Sequence, residues 1–508
     1  MSRVLVFKYS ALVMALAGLL AAPVARAEEA PQAGSPTVLT IHPAKEPVPA
    51  LKYRLIPGSL EPGNAAIFYH RAIEMVLQSR ANEAYGRKTA HEGENKSTDQ
   101  TISDWVNAPP DKFPRDEVRK RLDAYKNTLN EIELGASRQT CDWELYNRSE
   151  GYSLLLGEIQ EMRSLARLVA VKARLELLDG KLDEAIRWYR IGQTMGRHAA
   201  EGPTLIQGLV GISISFTMNQ GIEAFIQRPG APNLYWAMAT RPRPFVDLGR
   251  AIEAEQHIIE RELPELNELE GSPWSVEKAR LFGDKMLAKL IDYTGQMRMI
   301  TPARITSGSN APRLEELSSR LGVAAMVARV YPQAKRALIA EGLSAADVEA
   351  MPTLQAVLLH TLRVYNRFRD DNNKWTAFPY WQMKGHEKPI WKPGATAEEK
   401  FANPFLTTLL MLVPATESAL LAQARLDRQF DALQCVEAIR MYAADHGGTL
   451  PASLDAMTDT PLPIDPVTGK AFGYTKVDDT TATLTTDYPV GGPKISQYRI
   501  NYELKLAK

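Results

Sequence analysis

Aromatic side chains grouped beside prolines are the residues of this sequence best suited to contact a ligand. Tyr235 and Trp236 lie in a proline-punctuated stretch, and a second group surrounds Phe378. Aromatic faces stack on sugar rings and on peptide side chains. The candidate ligand-stacking residues are therefore Trp236, Trp375, Tyr380 and Trp381. The alternative interpretation is that these rings fill the core at rigid corners next to proline.

Two cysteines, Cys141 and Cys435, supply the sulfur chemistry of the chain. In an oxidising compartment the two thiols can pair, and the bond would join the N-terminal half to the C-terminal region. Such a crosslink restricts the unfolded chain strongly. The alternative is two buried free thiols, because Cys often packs as a small hydrophobic residue. The sequence leaves both readings open.

Motifs for phosphate binding, covalent catalysis and metal binding do not occur in recognisable spacing. Ser275 and Lys278 have the Ser-x-x-Lys spacing, but the companion motifs of that chemistry are missing. Glu253, His257 and Glu260 would share one helical face and could hold a divalent ion, although charged neighbours favour an ordinary solvated face. We therefore assign no catalytic, metal-ligating or cofactor-binding residue and predict no cofactor.

The charge of the chain is balanced, with 60 Lys and Arg residues against 60 Asp and Glu residues. Nucleic-acid binding requires a basic excess that neutralises phosphates, and an anionic membrane surface also attracts basic segments. The composition therefore argues against both partners. An apolar fraction of 45% is typical of a globular chain with a substantial core.

Residues 1–27 have the features of a signal peptide. Arg3 and Lys8 precede an apolar run over Ala11–Ala22, and small residues stand before a cleavage site after Ala27. The run is shorter than the roughly 20 residues that a membrane-spanning helix needs, which favours a cleaved signal over an anchor. We therefore expect export to the periplasm, the cell envelope or the extracellular space, with no membrane span after cleavage.

The mature chain is predicted to begin with a flexible leader over 28–49, rich in Pro, Ala and Glu, followed by an α-helical domain over 50–403. The clearest helical signal is Glu158–Ala200, where apolar residues recur at helical spacing on both sides of Gly180. Because glycine readily ends a helix in the left-handed conformation, this segment predicts a helical hairpin. The hairpin partly matches a tetratricopeptide unit, without a second copy. Thr204–Ile226 is predicted to be a core helix.

Residues 404–508 are predicted to form a small α+β module. A helix is expected from Thr416 to Ala444, followed by three short strands in which apolar and polar residues alternate. The strands are expected to be antiparallel and to pack on the helix. Their alternating residues are Phe472 and Tyr474, then Ala482 and Leu484, then Tyr498, Ile500, Tyr502 and Leu504. The predicted fold class is thus mainly α, with a helical-hairpin body and this C-terminal module.

The segment Ala438–Tyr474 resembles the C-terminal part of type II secretion major pseudopilins. In that family a helix is followed by a short Leu-containing helix and by an Asp-Pro turn that leads into a small sheet. The matching residues here are Tyr442, Gly448, Leu450, Pro451, Leu454, Asp465, Pro466, Gly469 and Tyr474. Pseudopilins carry this module directly after an N-terminal membrane helix, and no such processing motif precedes it here. The resemblance implies the fold of the module and not assembly into a fibre.

The remainder of the chain resembles a family of uncharacterised exported proteins of planctomycete-type bacteria. Four phrases carry this resemblance: Pro49–Gly58, Pro62–Ala72, Asn233–Pro244 and Lys374–Gln382. The resemblance implies export and a helical body, and it implies no activity.

Three hypotheses for the function follow. The first is a non-enzymatic scaffold or binding protein of the cell envelope that takes a protein or a polymer, with the C-terminal module as a docking element. The second is a hydrolase whose site lies in a cleft between helices. The third is an accessory component of a secretion or pilus-like system.

Overall fold

The structure, a computed structural model, describes residues 35–90, 98–144, 152–257, 264–285, 311–386, 406, 416–490, 492 and 494–507. These residues are mainly helical, which confirms the predicted class. The predicted signal peptide over 1–27 lies outside them. The helices are α1 (Ala66–Ala90), α2 (Thr98–Asn107), α3 (Arg115–Ala124), α4 (Lys126–Ala136), α5 (Tyr152–Leu178), α6 (Leu182–Ala200), α7 (Leu205–Ile226), α8 (Tyr235–Ala239), α9 (Gly249–Gln256), α10 (Ala311–Ala340), α11 (Ala345–Ala350), α12 (Thr353–Asn373), α13 (Tyr380–His386) and α14 (Thr416–Asp445).

Helices α5 and α6 form the helical hairpin that the sequence predicts. Gly180 ends α5 with φ of +76°, in the left-handed region. The Lys181 N–H donates to the Glu176 carbonyl and the Gly180 N–H donates to the Leu177 carbonyl, so the last carbonyls of α5 are satisfied before the chain reverses. The apolar faces of both helices are buried.

Helices α6 and α7 approach each other closely because small residues line both faces. A Cβ atom at Gly211 of α7 would lie 2.3 Å from the backbone oxygen of Gly196 on α6, and one at Gly192 would meet Met218. By length and apolar composition, α7 is the one described helix that could cross a membrane, yet most of its residues are buried in the protein. This burial agrees with the predicted core helix.

Helices α1 to α4 pack beside the hairpin, where α1 contacts α4 and α5. Two short strands, β2 (Glu61–Asn64) and β3 (Arg138–Thr140), run parallel and join the start of α1 to the end of α4. The Asn64 side chain holds the chain after β3, because it accepts from the Asp142 N–H and donates to the Asp142 carbonyl.

The C-terminal region contains three strands near the predicted positions, but they exclude some of the predicted residues: Phe472 precedes the first strand, and Tyr498 and Ile500 precede the third. They are β4 (Gly473–Lys476), β5 (Thr481–Thr485) and β6 (Asn501–Leu506), and both pairs are antiparallel. Ala482, Leu484 and Leu504 point to the buried face with essentially no exposure. The alternation of apolar and polar residues along each strand is what makes this half-buried sheet predictable.

A fourth strand corrects the predicted flexible leader over 28–49. Strand β1 (Thr37–Ile41) pairs in parallel with β6, so the sheet order is β1-β6-β5-β4. Leu39 and Ile41 are fully buried beneath it. Beyond β1, the Ala44 N–H donates to the Arg440 carbonyl on α14. The segment is ordered because it completes a sheet whose other strands lie more than 400 residues away along the chain.

Helix α14 is buried on nearly all sides and carries charged groups into the core. Arg428 forms a bidentate pair with Asp465, at 2.7 and 2.6 Å, while Asp465 also accepts from the Val467 N–H. Arg440 pairs with Glu437 and donates to the carbonyls of His42 and Ala231. Such buried pairs require every donor and acceptor to be matched. The charges of α14 therefore specify which segments surround it.

The described residues group into two compact units, whose limits differ from the predicted division into 50–403 and 404–508. One unit contains those of Glu253–Ala377 and of Glu387–Thr416, including α10, α11 and α12. The other contains those of Ala15–Ile252, Phe378–His386 and Glu417–Lys508. The C-terminal strands thus share a unit with the helical hairpin, because α14 and β6 bond to segments from the first half of the chain.

Candidate functional site

A hollow of about 240 Å³ lies at the start of α6, beside the extended segment 52–54. Helix α6 begins directly after the Gly180 turn, so Asp183 and Glu184 occupy its first turn, where the helix dipole favours carboxylates. Ile186, Arg187 and Arg190 follow along α6 and also line the hollow. The lining residues are Lys52, Tyr53, Arg54, Asp183, Glu184, Ile186, Arg187 and Arg190.

Two contacts attach segment 52–54 to α6. The Tyr53 hydroxyl donates to Asp183 Oδ1 at 2.7 Å, and Lys52 Nζ lies 3.6 Å from Asp183 Oδ2. Burial and the hydrogen bond to Asp183 raise the pKa of Tyr53, so the phenol remains a donor at neutral pH. These two contacts hold segment 52–54 against the start of α6.

The cations of the hollow are unequally paired. Arg187 contacts Glu184 at 3.2 Å and also pairs with Glu133 of α4. In contrast, neither Arg54 nor Arg190 has a hydrogen-bond or ion-pair partner for its guanidinium among the described residues. Burial, and then the neighbouring charge of Arg187, lower the pKa of Arg190. The charge of Glu133 opposes this change without forming an ion pair with Arg190. The hollow thus holds a partly buried guanidinium that has no direct partner among the described residues.

This arrangement is suited to binding an anion. A guanidinium presents several N–H donors in a planar fork that matches a carboxylate or a phosphate, and hydrogen bonds between charged groups are stronger than neutral ones. Lys52 and Arg187 add positive charge at the same hollow, while Asp183 and Glu184 are already engaged by these two cations and by Tyr53. The free donors therefore belong to Arg54 and Arg190.

A second cluster of titratable groups lies at the other end of α6. Tyr69 OH is 2.9 Å from His198 Nδ1, and Trp143 Nε1 donates to the His198 carbonyl at 3.3 Å. The Cys141 N–H donates to Glu201 Oε2 at 2.7 Å. Strand β3 and the end of α4 place Cys141 here, and Tyr69 comes from the first turn of α1.

The side chains of this second cluster are mostly buried, and hydrogen bonds join them to one another and to the backbone. Burial, and then the charge of Arg197, lower the pKa of His198 to about 4, and the Arg138 backbone also bonds the ring. Burial and the nearby Glu201 raise the pKa of the Cys141 thiol well above its usual range. The neutral imidazole and the protonated thiol at neutral pH do not form an activated nucleophile, which would need a lowered thiol pKa.

The two cysteines are not bonded to each other. Cys141 lies after β3 and Cys435 lies within α14, and both are buried free thiols. The disulfide reading of the sequence is thereby corrected in favour of its alternative. Burial raises the pKa of Cys435 far above its usual range as well, so the thiol behaves as a small apolar group in the core.

The candidate ligand-stacking aromatics differ in their surroundings. Tyr380 is buried, and Trp381 packs on the turn at Gly469, where an added Cβ would lie 2.5 Å from its ring. Trp236 is partly exposed and donates from Nε1 to Glu46 at 2.7 Å. Trp375 belongs to the unit that contains α12, and Lys374 lies over its ring. Three of these rings, Trp236, Tyr380 and Trp381, thus have packing or hydrogen-bonding roles of their own.

Within the part of the chain that the structure describes, no group of three or more His, Cys, Asp or Glu side chains converges as metal ligands would. Of the three residues that the sequence analysis considered as ligands of a divalent ion, Glu253 lies on α9 and His257 follows the last residue of that helix. Glu260 lies outside the described residues.

Comparisons of the chain with protein-family models, with curated proteins and with solved structures find no match. Both resemblances noted from the sequence therefore remain predictions. The site itself must be interpreted from its geometry alone.

Sequence reasoning missed the hollow at the start of α6. Tyr53 and Asp183 are separated by 130 residues, and nothing in either segment indicates that they meet. The signal that was available is local: the hairpin places Asp183, Arg187 and Arg190 on adjoining turns of one predicted helix. An unpaired arginine cannot be recognised until its neighbours are known.

Proposed function

We propose that this chain is an exported helical binding protein that holds an anionic group of a protein or cell-envelope polymer in the hollow at the start of α6. The observation that carries the proposal is that the guanidinium groups of Arg54 and Arg190 have no hydrogen-bond or ion-pair partner among the described residues. Burying a charge without a partner is unfavourable, and an anion would offset that penalty.

The electrostatics of the hollow support recognition of an anion. Partial burial, and then the charge of Arg187, lower the pKa of Arg190, and the charge of Glu133 offsets only part of this change. A carboxylate or phosphate placed between Arg54 and Arg190 would reverse this penalty and accept their N–H donors. Because the bond between Tyr53 and Asp183 already holds segment 52–54 against α6, little side-chain ordering would be required on binding.

The two other hypotheses have less support. A hydrolase would need an activated group, and the buried Tyr69–His198 cluster holds a neutral imidazole beside a protonated thiol. The secretion-system hypothesis and the docking role of the C-terminal region depend on the resemblance of Ala438–Tyr474 alone.

Citrate is a suitable probe, because it presents several carboxylates on a small molecule. We expect titration with citrate at low salt to shift the Nε–Hε NMR signal of Arg190 in the ¹⁵N-labelled protein. Arg190→Gln should weaken citrate binding on the order of tenfold, because a hydrogen bond between charged groups contributes about 1.5–3 kcal/mol.

Arg163→Gln is the matched control. Arg163 lies on α5, is partly exposed and has no partner among the described residues, and burial followed by the charge of Arg167 lowers its pKa. The control variant should bind citrate as the wild type does. Equal citrate binding by the wild type and by Arg190→Gln would reject the hollow as an anion site.

A further inference from the structure

The hollow at the start of α6 also contains an acceptor that its cations leave open. Arg187 contacts Glu184 through Oε2, at 3.2 Å, and Glu184 Oε1 accepts no hydrogen bond from the described residues. In contrast, Asp183 accepts from Tyr53 on Oδ1 and faces Lys52 on Oδ2. Because the Glu184 side chain is half exposed, its open oxygen can accept a hydrogen bond from a ligand.

The charges that line the hollow are unevenly shared. Arg187 pairs with both Glu133 and Glu184, so these three side chains carry one more negative charge than positive. Arg54 and Arg190 supply two cations without a direct partner among the described residues. The volume of about 240 Å³ is below the roughly 300–1,000 Å³ of sites for drug-sized ligands, so the bound group must be small. The hollow therefore suits a small group that carries charges of both signs.

We propose that the anionic group is the amino-terminal Glu or Asp residue of a partner protein, whose side-chain carboxylate binds Arg54 and Arg190 while its ammonium group binds Glu184. This inference rests on the proposed function, because it names the class of ligand that the same hollow would hold. In an amino-terminal glutamate, four bonds separate the ammonium nitrogen from the carboxylate carbon, a span of about 5 Å. One residue thus supplies both charges within a hollow of this size.

The open oxygen of Glu184 distinguishes this ligand from a simple anion. A carboxylate or a dianionic phosphate has no donor for that oxygen and would bring a like charge towards it. An ammonium group supplies three N–H donors, and hydrogen bonds between charged groups are stronger than neutral ones. Lys52, Asp183 and Glu184 are exposed, so the hollow is open on their side and leaves room for the rest of the partner chain.

The test uses the peptide Glu-Gly-Gly, amidated at its carboxyl end, with its amino terminus either free or acetylated. The two peptides differ only in the ammonium group. In an NMR titration of the ¹⁵N-labelled full chain at low salt, the free peptide should bind on the order of tenfold more tightly, because it gains a hydrogen bond between charged groups. Glu184→Gln should remove this preference by weakening the free peptide alone. Arg190→Gln should weaken both peptides and citrate.

Glu117→Gln is the matched control. Glu117 is the third residue of α3, as Glu184 is the third residue of α6, and it is exposed but does not line the hollow. Its replacement should leave the preference for the free peptide unchanged. Thermal melting of each variant checks that the fold is intact.

The outcomes separate the two proposals. If citrate binding depends on Arg190 while the two peptides bind equally, the hollow is an anion site and the amino-terminal ligand is wrong. A preference for the free peptide that persists in Glu184→Gln would also overturn the inference, because the ammonium group would then bind elsewhere. If free glutamate binds more tightly than the free peptide, the ligand is an amino acid and the assignment to a partner protein is overturned. If neither citrate nor the peptides depend on Arg190, the proposed function itself fails.

Discussion

Two buried titratable residues have pKa values that are shifted in opposite directions: the pKa of His198 is lowered and that of Asp427 is raised. His198 on α6 titrates near 4 in the folded protein, because burial and then Arg197 disfavour its charged form. Asp427 on α14 titrates near 6, because burial outweighs the attraction of Arg241 and the hydrogen bond from the Phe245 N–H. Each pKa shift makes the free energy of unfolding depend on pH, and the sign of that dependence differs between the two residues.

Between pH 4 and 6.5 the unfolded chain protonates His198 while the folded protein does not, so this residue makes the free energy of unfolding rise with pH. Between pH 4 and 6 the folded protein keeps a proton on Asp427 that the unfolded chain has lost, so this residue makes the free energy of unfolding fall with pH. Each contribution amounts to about 3 kcal/mol at most, at 1.36 kcal/mol per unit of pKa shift.

We therefore predict that His198→Gln and Asp427→Asn change the slope of stability against pH in opposite directions. His198→Gln removes the rising contribution, so its free energy of unfolding should increase less from pH 4 to 6.5 than that of the wild type. Asp427→Asn removes the falling contribution, so its free energy of unfolding should increase more. Urea denaturation at several pH values from about 4 to 7 measures both slopes.

The double variant is the internal control, and its slope should return towards that of the wild type. Curves that stay parallel for the wild type and both single variants would mean that other groups dominate the titration.

Among the elements of secondary structure, those with strong local signals were predictable and those set by distant partners were not. The α5–α6 hairpin follows from an apolar period and from Gly180, whose φ of +76° is the conformation that the sequence suggests. Strand β1 has only five residues in a proline-rich stretch, and its partner β6 lies at the far end of the chain. No short-range pattern specifies a parallel pairing of that kind.

The α6–α7 contact gives a prediction at this scale. Gly211→Ala should lower the free energy of unfolding by about 1–3 kcal/mol, because its Cβ would lie 2.3 Å from the Gly196 carbonyl oxygen, a backbone atom that cannot move aside cheaply. Intrinsic helix propensity alone predicts the opposite sign, since alanine is favoured over glycine by about 1 kcal/mol in a helix. Urea denaturation monitored by circular dichroism decides between them.

Ser213→Ala is the matched control, because Ser213 lies two residues away on α7 and is partly exposed. Its free energy of unfolding should stay within about 0.5 kcal/mol of the wild type. A Gly211→Ala variant with a higher free energy of unfolding would contradict this prediction, because it would show that α6 and α7 can move apart without loss of stability.

At the scale of the whole molecule, the candidate site illustrates why composition is a poor guide to binding. The chain has equal numbers of acidic and basic residues, and this balance predicts no broad basic surface. The hollow depends instead on which few arginines lack a partner, and that property arises only when segment 52–54 folds against α6. The types of residue were visible in the sequence, whereas their pairing was decided by tertiary contacts.

The same reasoning applies to the C-terminal region, which looked like a separable module. Its helix α14 donates from Arg440 to the carbonyls of His42 and Ala231, and Asp431 accepts from Arg241 at 2.8 Å and from Arg243 at 3.1 Å. All four partners lie in the first half of the chain. Removing one member of a buried ion pair is destabilising by about 3–5 kcal/mol, because the other charge is left without a partner.

A fragment of residues 404–508 should therefore fail to fold cooperatively. It lacks β1, whose Leu39 and Ile41 are buried, and the two arginines that donate to Asp431. It also lacks the carbonyls of His42 and Ala231 that accept from Arg440. Urea denaturation followed by tyrosine near-ultraviolet circular dichroism should show a sigmoidal transition for the full chain and a gradual, non-cooperative change for the fragment. A peptide of residues 35–49 added to the fragment should recover only part of the signal, because Ala231, Arg241 and Arg243 remain absent. A sharp transition in the fragment alone would instead establish an autonomous module, and the buried charges of α14 would then have to be satisfied within residues 404–508.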